Sequence, residues 1–259
     1  MEKALATVVI PIHLEEPSEL EKISLAQTVA MLHKYPISFM TPAGLNTVWY
    51  EDFCRGKVTI SIERFDWKGH DEFGQLLTSP VFYGRFLDYE YMLVCHMDAF
   101  VFRDELEKWC HMGYDYIGAV IYNPYWDPKD SLLSKLTGLT GPKYFGNGGF
   151  SLKKVSTFYR ITARYKPFID LYHWVKKKRR RGFLEDFFLT KFFPIMSPGF
   201  KIPAKAVAKD FGAAYEDFKE ENLPFNNRDN DSLPFGNHGW IQYKRDFWKP
   251  VLRRYGYTI

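Results

Sequence analysis

Apolar and polar positions follow two rhythms along this chain. Thr7 to His13 (TVVIPIH) is a short β-branched apolar run, the pattern of a strand buried on both faces. Glu19 to His33 follows, with Leu20, Ile23, Ala26, Ala30 and Met31 at helical spacing behind a cap at Ser18, and Pro36 stops it. Ile37 to Met40 and Val58 to Ile62 predict two more strands. This β-α-β-α-β opening is the layout of a nucleotide-binding half-sheet, whose right-handed connections make the strands parallel. A helix is expected from about Phe73 to Leu87, then a strand from Tyr91 to Cys95 that breaks abruptly into His96, Met97 and Asp98. Asp104 to Cys110 reads as a short helix and Tyr116 to Val120 as a strand. An aromatic, Pro-rich loop follows through Trp126 and Pro128, and Leu132 to Pro142 is loop-like. Tyr144 to Leu152 (YFGNGGFSL) is glycine-rich, Ser156 to Trp174 and Glu185 to Phe193 read as helices, and the remainder is rich in Pro, Asn and Asp.

No repeat or linker divides the 259 residues, and α/β folds of this length form one body around one sheet. The expected fold class is therefore a single α/β domain, Rossmann-like, with a mixed, mainly parallel central sheet flanked by helices. Within it, residues 1–102, which carry the β-α-β-α-β opening, are expected to form a nucleotide-binding half and 103–259 the second half. Apolar residues make up 46 % and aromatic ones 18 %, which excludes global disorder and leaves rings over for a cleft. The net charge of +4 is too small to argue for nucleic acid, which is not expected as a partner. Cys54, Cys95 and Cys110 show no CxxC spacing and read as reduced thiols. The first apolar stretch is too short for a secretory signal and no segment has the ~20 apolar residues of a membrane span. The expected location is the cytoplasm, at most at the periphery of a membrane.

Ligands of open α/β sheets sit outside the carboxyl ends of strands, so Asp98, emerging there, has a functional reading that a surface Asp lacks. A nucleotide's phosphates carry charge that a bound cation can neutralise, and hard cations take carboxylate oxygens. His96, two residues earlier in an extended stretch, faces the same side. The alternative is that Asp98 caps the following turn, which for a lone Asp is the usual outcome. His238 and Trp240 lie in FGNHGW, where flanking glycines allow a phosphate close to the backbone. His238 could bind metal or diphosphate, while Trp240 packs in the core or lines an acceptor sugar. Asn147, Gly148 and Gly149 form neither a P-loop nor a dinucleotide fingerprint; they suit hydroxyl recognition, or a tight turn. Glu185 and Asp186 open an apolar helix, where the helix dipole favours acids and where one carboxylate could take a proton from an acceptor hydroxyl. Lys176 to Arg181, six consecutive cations, suit an anionic lipid surface or a solvated turn.

In order, YMLVCHMDAFVF, DYIGA, YFGNGGFSL, LEDFFLT and FGNHGW resemble the layout of GT-A glycosyltransferases. More narrowly, they are similar to the bacterial family that includes the galactofuranosyltransferase domain of bifunctional O-antigen polymerases. The likeness runs from about Val8 to Trp240. It implies a GT-A-like domain that takes a sugar from a nucleotide-sugar donor, by analogy UDP-linked, to a hydroxyl of a saccharide or lipid-linked saccharide acceptor, in bacterial surface polysaccharide synthesis. Asp98 matches the last acid of the DxD motif and His96 stands where the first would be. Asp98 and His238 are the implied ligands of a divalent metal, Mn²⁺ or Mg²⁺, and of the diphosphate. Asn147, Gly148 and Gly149 match the loop that packs on sugar. Asp186 matches the catalytic base of similar inverting enzymes, with Glu185 in support. Pro11, Ile12 and His13 lie where such enzymes hold the nucleoside, with Arg64 and Tyr83 as further candidates. Rival readings are a retaining transferase, a sugar-nucleotide hydrolase or nucleotidyltransferase, and a non-catalytic carbohydrate-binding protein.

Overall fold

The structure is a computed structural model that describes residues 3–121, 144, 146–178, 185–214 and 223–259. The loops expected through Trp126, Pro128 and Leu132 to Pro142, and Arg179 to Arg181, lie outside the described residues. In chain order the elements are β1 (Ala4–Pro11), α1 (Glu19–Leu32), β2 (Ile37–Pro42), α2 (Val48–Cys54), β3 (Ile60–Phe65), α3 (Gly69–Leu76), α4 (Pro80–Gly84), β4 (Tyr89–Cys95), β5 (Ala99–Val101) and α5 (Leu106–His111). They continue with β6 (Tyr116–Ile121), β7 (Gly146–Lys154), α6 (Val155–Arg164), α7 (Lys166–Lys178), α8 (Glu185–Met196), α9 (Lys205–Phe211), β8 (Gly212–Ala214), β9 (Gly236–His238) and α10 (Arg245–Arg254).

The strands form one mixed sheet in the order β3-β2-β1-β4-β7-β6-β8-β9-β5. β1 lies between β2 and β4, parallel to both, with Val8 opposite Ile37 and Leu93. Val8, Val9 and Ile10 are buried because both faces of this strand are covered, which is what its unbroken apolar run encodes. Hydroxyls of Thr7, Ser38 and Ser61 link β1, β2 and β3 through two contacts of 3.0 Å, so polar side chains inside the sheet satisfy one another. β7 runs antiparallel to β4 and β6. That reversal carries the amino-terminal end of β7, the GNGG stretch, to the carboxyl edge of β4. There the β6–β7 register slips: Gly118 pairs with Ser151, but the next residue, Ala119, pairs with Asn147. The residues between bulge out of the ladder.

Several boundaries differ from the pattern-based expectation. The helix expected over Phe73 to Leu87 is two short ones, because Pro80 has no N–H to continue α3 and Ser79 instead caps α4 by accepting from the Val81 amide at 3.1 Å. β3 begins at Ile60, not Val58, because the Lys57 and Val58 amides bond to the Cys54 carbonyl and close the turn after α2. The helix expected over Ser156 to Trp174 breaks at Tyr165, just ahead of Pro167. The Pro- and Asn-rich tail contains α9, β8, β9 and α10, which complete the sheet. By contrast, Ser18 caps α1 as expected, in a reciprocal pair with Glu21.

The main core runs along the sheet, and a second apolar cluster joins Phe100, Phe102, Trp240, Trp248, Val251 and Leu252 under α10. Cys54, Cys95 and Cys110 are buried and free; burial pushes the thiols up to about 11, 12 and 12 respectively. Among the described residues no helix is long and apolar enough to cross a membrane.

Candidate functional site

The site grows from the end of β4. After Cys95 the chain leaves the ladder: the His96 amide bonds to the Gly149 carbonyl at 2.8 Å, and the Ala99 amide to the His96 carbonyl at 3.0 Å. This tight turn presents His96 and Asp98 together and buries Met97, as the alternation of an extended stretch requires. β9 then pairs antiparallel with β5, placing His238 opposite Ala99. The His238 Nε2 lies 3.1 Å from Asp98 Oδ1, and the Gly239 amide bonds to the Asp98 carbonyl at 3.0 Å. The His96 and His238 rings are 5.3 Å apart, edge to face. Residues separated by more than 130 positions thus share one corner of the sheet.

Burial raises the Asp98 carboxyl, but the charge and hydrogen bond of His238 and the nearness of His96 outweigh it and hold the group down at about 2. Burial first, and then His238, hold His96 far below the usual imidazole range, at about 3, against the pull of Asp98. His96 is therefore neutral near pH 7, and its Nε2 is a buried atom without a hydrogen-bond partner. One ligand atom from each of His96, Asp98 and His238 can be chosen so that all lie within 4.8 Å of one another. A neutral imidazole with an unsatisfied nitrogen, a second imidazole and an ionised carboxylate fit a divalent cation. Two nitrogen donors suit Mn²⁺ better than Mg²⁺, which prefers oxygen alone. The implied ligand pair of Asp98 and His238 gains His96 as a third member.

The β7 bulge adjoins this corner. A Cβ on Gly149 would land on the His238 ring, and one on Gly148 would strike the Glu185 carboxylate, so both glycines are needed for close packing. The Asn147 Oδ1 accepts from the Gly149 amide at 2.7 Å, and the Ser151 hydroxyl donates to the Gly148 carbonyl at 2.8 Å. Asn147 thus spends its carbonyl on shaping the bulge. Buried tyrosines brace the same stretch: the Tyr116 hydroxyl donates to the Gly146 carbonyl at 2.9 Å, and the Tyr144 hydroxyl accepts from the Gly118 amide at 3.2 Å. α8 begins at Glu185, whose side chain is buried against Gly148; Asp186 Oδ1 accepts from the Phe187 amide at 2.8 Å. Asp98, His238, the glycines and the acid pair therefore line one continuous region at the carboxyl edge.

Other expected positions fall differently. Pro11, Ile12 and His13 do end β1 at that edge, but Ile12 is buried and its amide bonds to the Met40 carbonyl at 2.8 Å, so among these three only Pro11 and His13 have side chains open to a ligand. Arg64, at the end of β3, ties down the loop after β2 through the Leu45 carbonyl (2.9 Å) and the Thr47 hydroxyl (3.4 Å). Tyr83 is not in that pocket. Its ring is fully buried 5.1 Å from Phe158 and its hydroxyl donates to the Leu77 carbonyl at 2.7 Å. Trp240 likewise is core and no sugar platform: it is inaccessible, and its indole N–H donates to the Ser24 hydroxyl of α1 at 2.8 Å. Lys176 to Lys178 form the last turn of α7, with Lys177 and Lys178 exposed. One residue at the site escaped the sequence analysis. Lys153 of β7 is fully buried, and its amine feels Glu185 and Asp186. In sequence it is one of two lysines closing a strand, a pattern that reads as solvated.

The sheet order, the reversal at β7 and the helices around them define the GT-A glycosyltransferase fold. Over 96 % of this chain and 94 % of that one, the structure superposes on the galactosyltransferase LgtC in complex with donor and acceptor sugar analogues, with a TM-score of 0.59 at 15 % identity. Mouse xyloside xylosyltransferase 1 in its apo form matches with a TM-score of 0.55 at 10 % identity, covering 92 % of this chain and 97 % of that one. The WbbM bifunctional glycosyltransferase matches with a TM-score of 0.51 at 14 % identity, over 92 % of this chain but 46 % of that one. By sequence, residues 58–238 match the family described as "Protein of unknown function (DUF5672)", to which this chain belongs. No curated protein matches the sequence.

Proposed function

We propose that this protein is a nucleotide-sugar-dependent glycosyltransferase that moves a sugar from a donor, UDP-linked in the first instance, to a hydroxyl of a saccharide or lipid-linked saccharide. The carrying observation is that the Asp98·His238 pair, the two close-packed glycines and the Glu185–Asp186 pair meet along one carboxyl edge in a GT-A fold. A charge-binding end and an acid end side by side are what transfer from a diphosphate leaving group needs.

In this reading residues 1–102 hold the nucleotide at the ends of β1 and β3 and 103–259 carry the acceptor and the acids, with His238 reaching back to complete the donor end. His96, Asp98 and His238 would hold a divalent metal, which when bound supplies positive charge to the departing diphosphate. Asp186 accepts the proton of the acceptor hydroxyl, whose oxygen forms the new bond to the anomeric carbon as the bond to the diphosphate oxygen breaks. Glu185, buried against Gly148, orients that hydroxyl. Displacement in line inverts the anomeric configuration. The setting we propose is cytoplasmic, at the periphery of an anionic membrane where bacterial surface polysaccharide is assembled.

The test is a transfer assay over a panel of sugar nucleotides with Mn²⁺. Wild-type protein should turn over one donor, and Asp186→Asn should lower kcat by about 10²–10⁴-fold, the usual worth of a general base, with donor affinity kept within about threefold. Anomeric configuration in the product, read by NMR, decides the role of Asp186: retention would make it a sugar-orienting group. Absence of transfer with every donor and acceptor, alongside saccharide binding, would favour a non-catalytic binding protein.

A further inference from the structure

Lysine side chains stay at surfaces because removing an ammonium from water is costly unless partners replace the water. Lys153 breaks this rule in the middle of the sheet. It sits opposite Met92 of β4 and Tyr116 of β6, is fully buried, and its Nζ has no hydrogen-bond partner. By strand alternation it shares its face of the sheet with Met92, Val94 and His96. The surroundings of its amine are not neutral. Its charge acts on His96 at the metal end, and Glu185 and Asp186 act on it from the acid end. A lysine kept only as counter-ion for these acids would pair with them directly, and Lys153 does not. Its donors are met by no group among the described residues.

The neighbours decide the chemistry of that partner. A phosphate would be held by Asp98's side of the site through cations and repelled by Glu185 and Asp186. A hydroxyl, which donates and accepts at once, fits between an ammonium and a carboxylate. Resting on the glycosyltransferase reading above, we propose that Lys153 contacts the substrate, donating to a hydroxyl oxygen of the transferred sugar on the side of the site where the Glu185–Asp186 pair meets the acceptor. Lys153 is then a determinant of which sugar is used, not of how the nucleotide is bound.

The test compares wild type, Lys153→Met and Lys153→Gln for binding of UDP and GDP, and of UDP-glucose, UDP-galactose and GDP-mannose, by calorimetry with Mn²⁺ present, together with the melting temperature of each ligand-free protein. The expected result is that both variants melt at or above the wild-type temperature and bind the nucleoside diphosphate within about twofold of wild type. They should lose tenfold or more of the affinity that the sugar adds to the preferred donor, since a hydrogen bond to a charged group is worth about 1.5–3 kcal/mol. An unchanged sugar increment in either folded variant overturns the proposal, as does a melting temperature lowered in both with the increment intact, the mark of a structural lysine. Failure of the wild type to bind any nucleoside diphosphate overturns the glycosyltransferase reading itself, and Lys153's assignment with it.

Discussion

Single residues at this site are constrained by space and by charge, and each constraint is measurable. Gly149 lies against the His238 ring, so Gly149→Ala must displace either the ring or the β7 bulge. The expected outcome is a folded protein whose affinity for Mn²⁺, followed by calorimetry, falls at least tenfold, because the Asp98·His238 contact at 3.1 Å cannot survive the shift. Lys153 shows the opposite relation between site and stability. Burial lowers its amine from 10.5 to about 8, so the folded state takes up the proton less readily than the unfolded chain. The destabilisation is therefore complete below pH 8 and fades as pH rises toward 10.5. At about 1.4 kcal/mol per pH unit it approaches about 3 kcal/mol. Lys153→Met should gain up to that amount in urea denaturation at pH 7, and the gain should shrink toward pH 10.5.

Whole elements, more than their individual residues, set the site. β9 is three residues long, yet it delivers His238, and it is anchored by Trp240 just beyond it, whose ring fills the second apolar cluster and whose N–H reaches Ser24 of α1. Trp240→Ala should cost about 3–5 kcal/mol in chemical denaturation, the usual range for a buried Trp. Trp240→Phe should cost less, losing mainly the hydrogen bond to Ser24. Strong local patterns were legible here. β1, β2 and β4 are apolar on both faces, α1 carries its own cap, and the acids opening α8 are where a helix dipole favours them. Elements of three residues were not legible, since β8 and β9 are too short to show any period. The break at Pro80 was written in the sequence; apolar residues continuing on either side concealed it.

On the scale of the molecule, the carboxyl edge of the sheet gathers the candidate site, while α7 presents a separate surface. Phe168, Leu171 and Trp174 are exposed at helical spacing and Ile195 of α8 is exposed as well; Lys176 to Lys178 close α7. Under the membrane-peripheral setting proposed above, an anionic bilayer would take these rings into its headgroup region and the lysines at its surface. The protein should sediment with vesicles containing 30 mol % anionic lipid and much less with neutral ones. Leu171→Glu with Trp174→Glu should reduce binding about tenfold or more, with transfer to a water-soluble acceptor unchanged. Equal binding to neutral vesicles, or an unaffected double variant, would remove the membrane from the picture.

The sequence alone determined the α/β class, the buried parallel strands and the residues able to carry chemistry, because hydrophobic period, caps and strand-end acids act within a few residues of one another. Only the tertiary structure decided which of those residues meet. His238 joins Asp98 through the pairing of β5 with β9, and Gly148 meets Glu185 because β7 runs backwards. Tyr83 and Trp240, rings that suited a cleft, went into the core, and Lys153, a charge that suited the surface, went inside. For single residues such as these, burial depends on what the rest of the chain places around the side chain, and the neighbouring residues do not encode it.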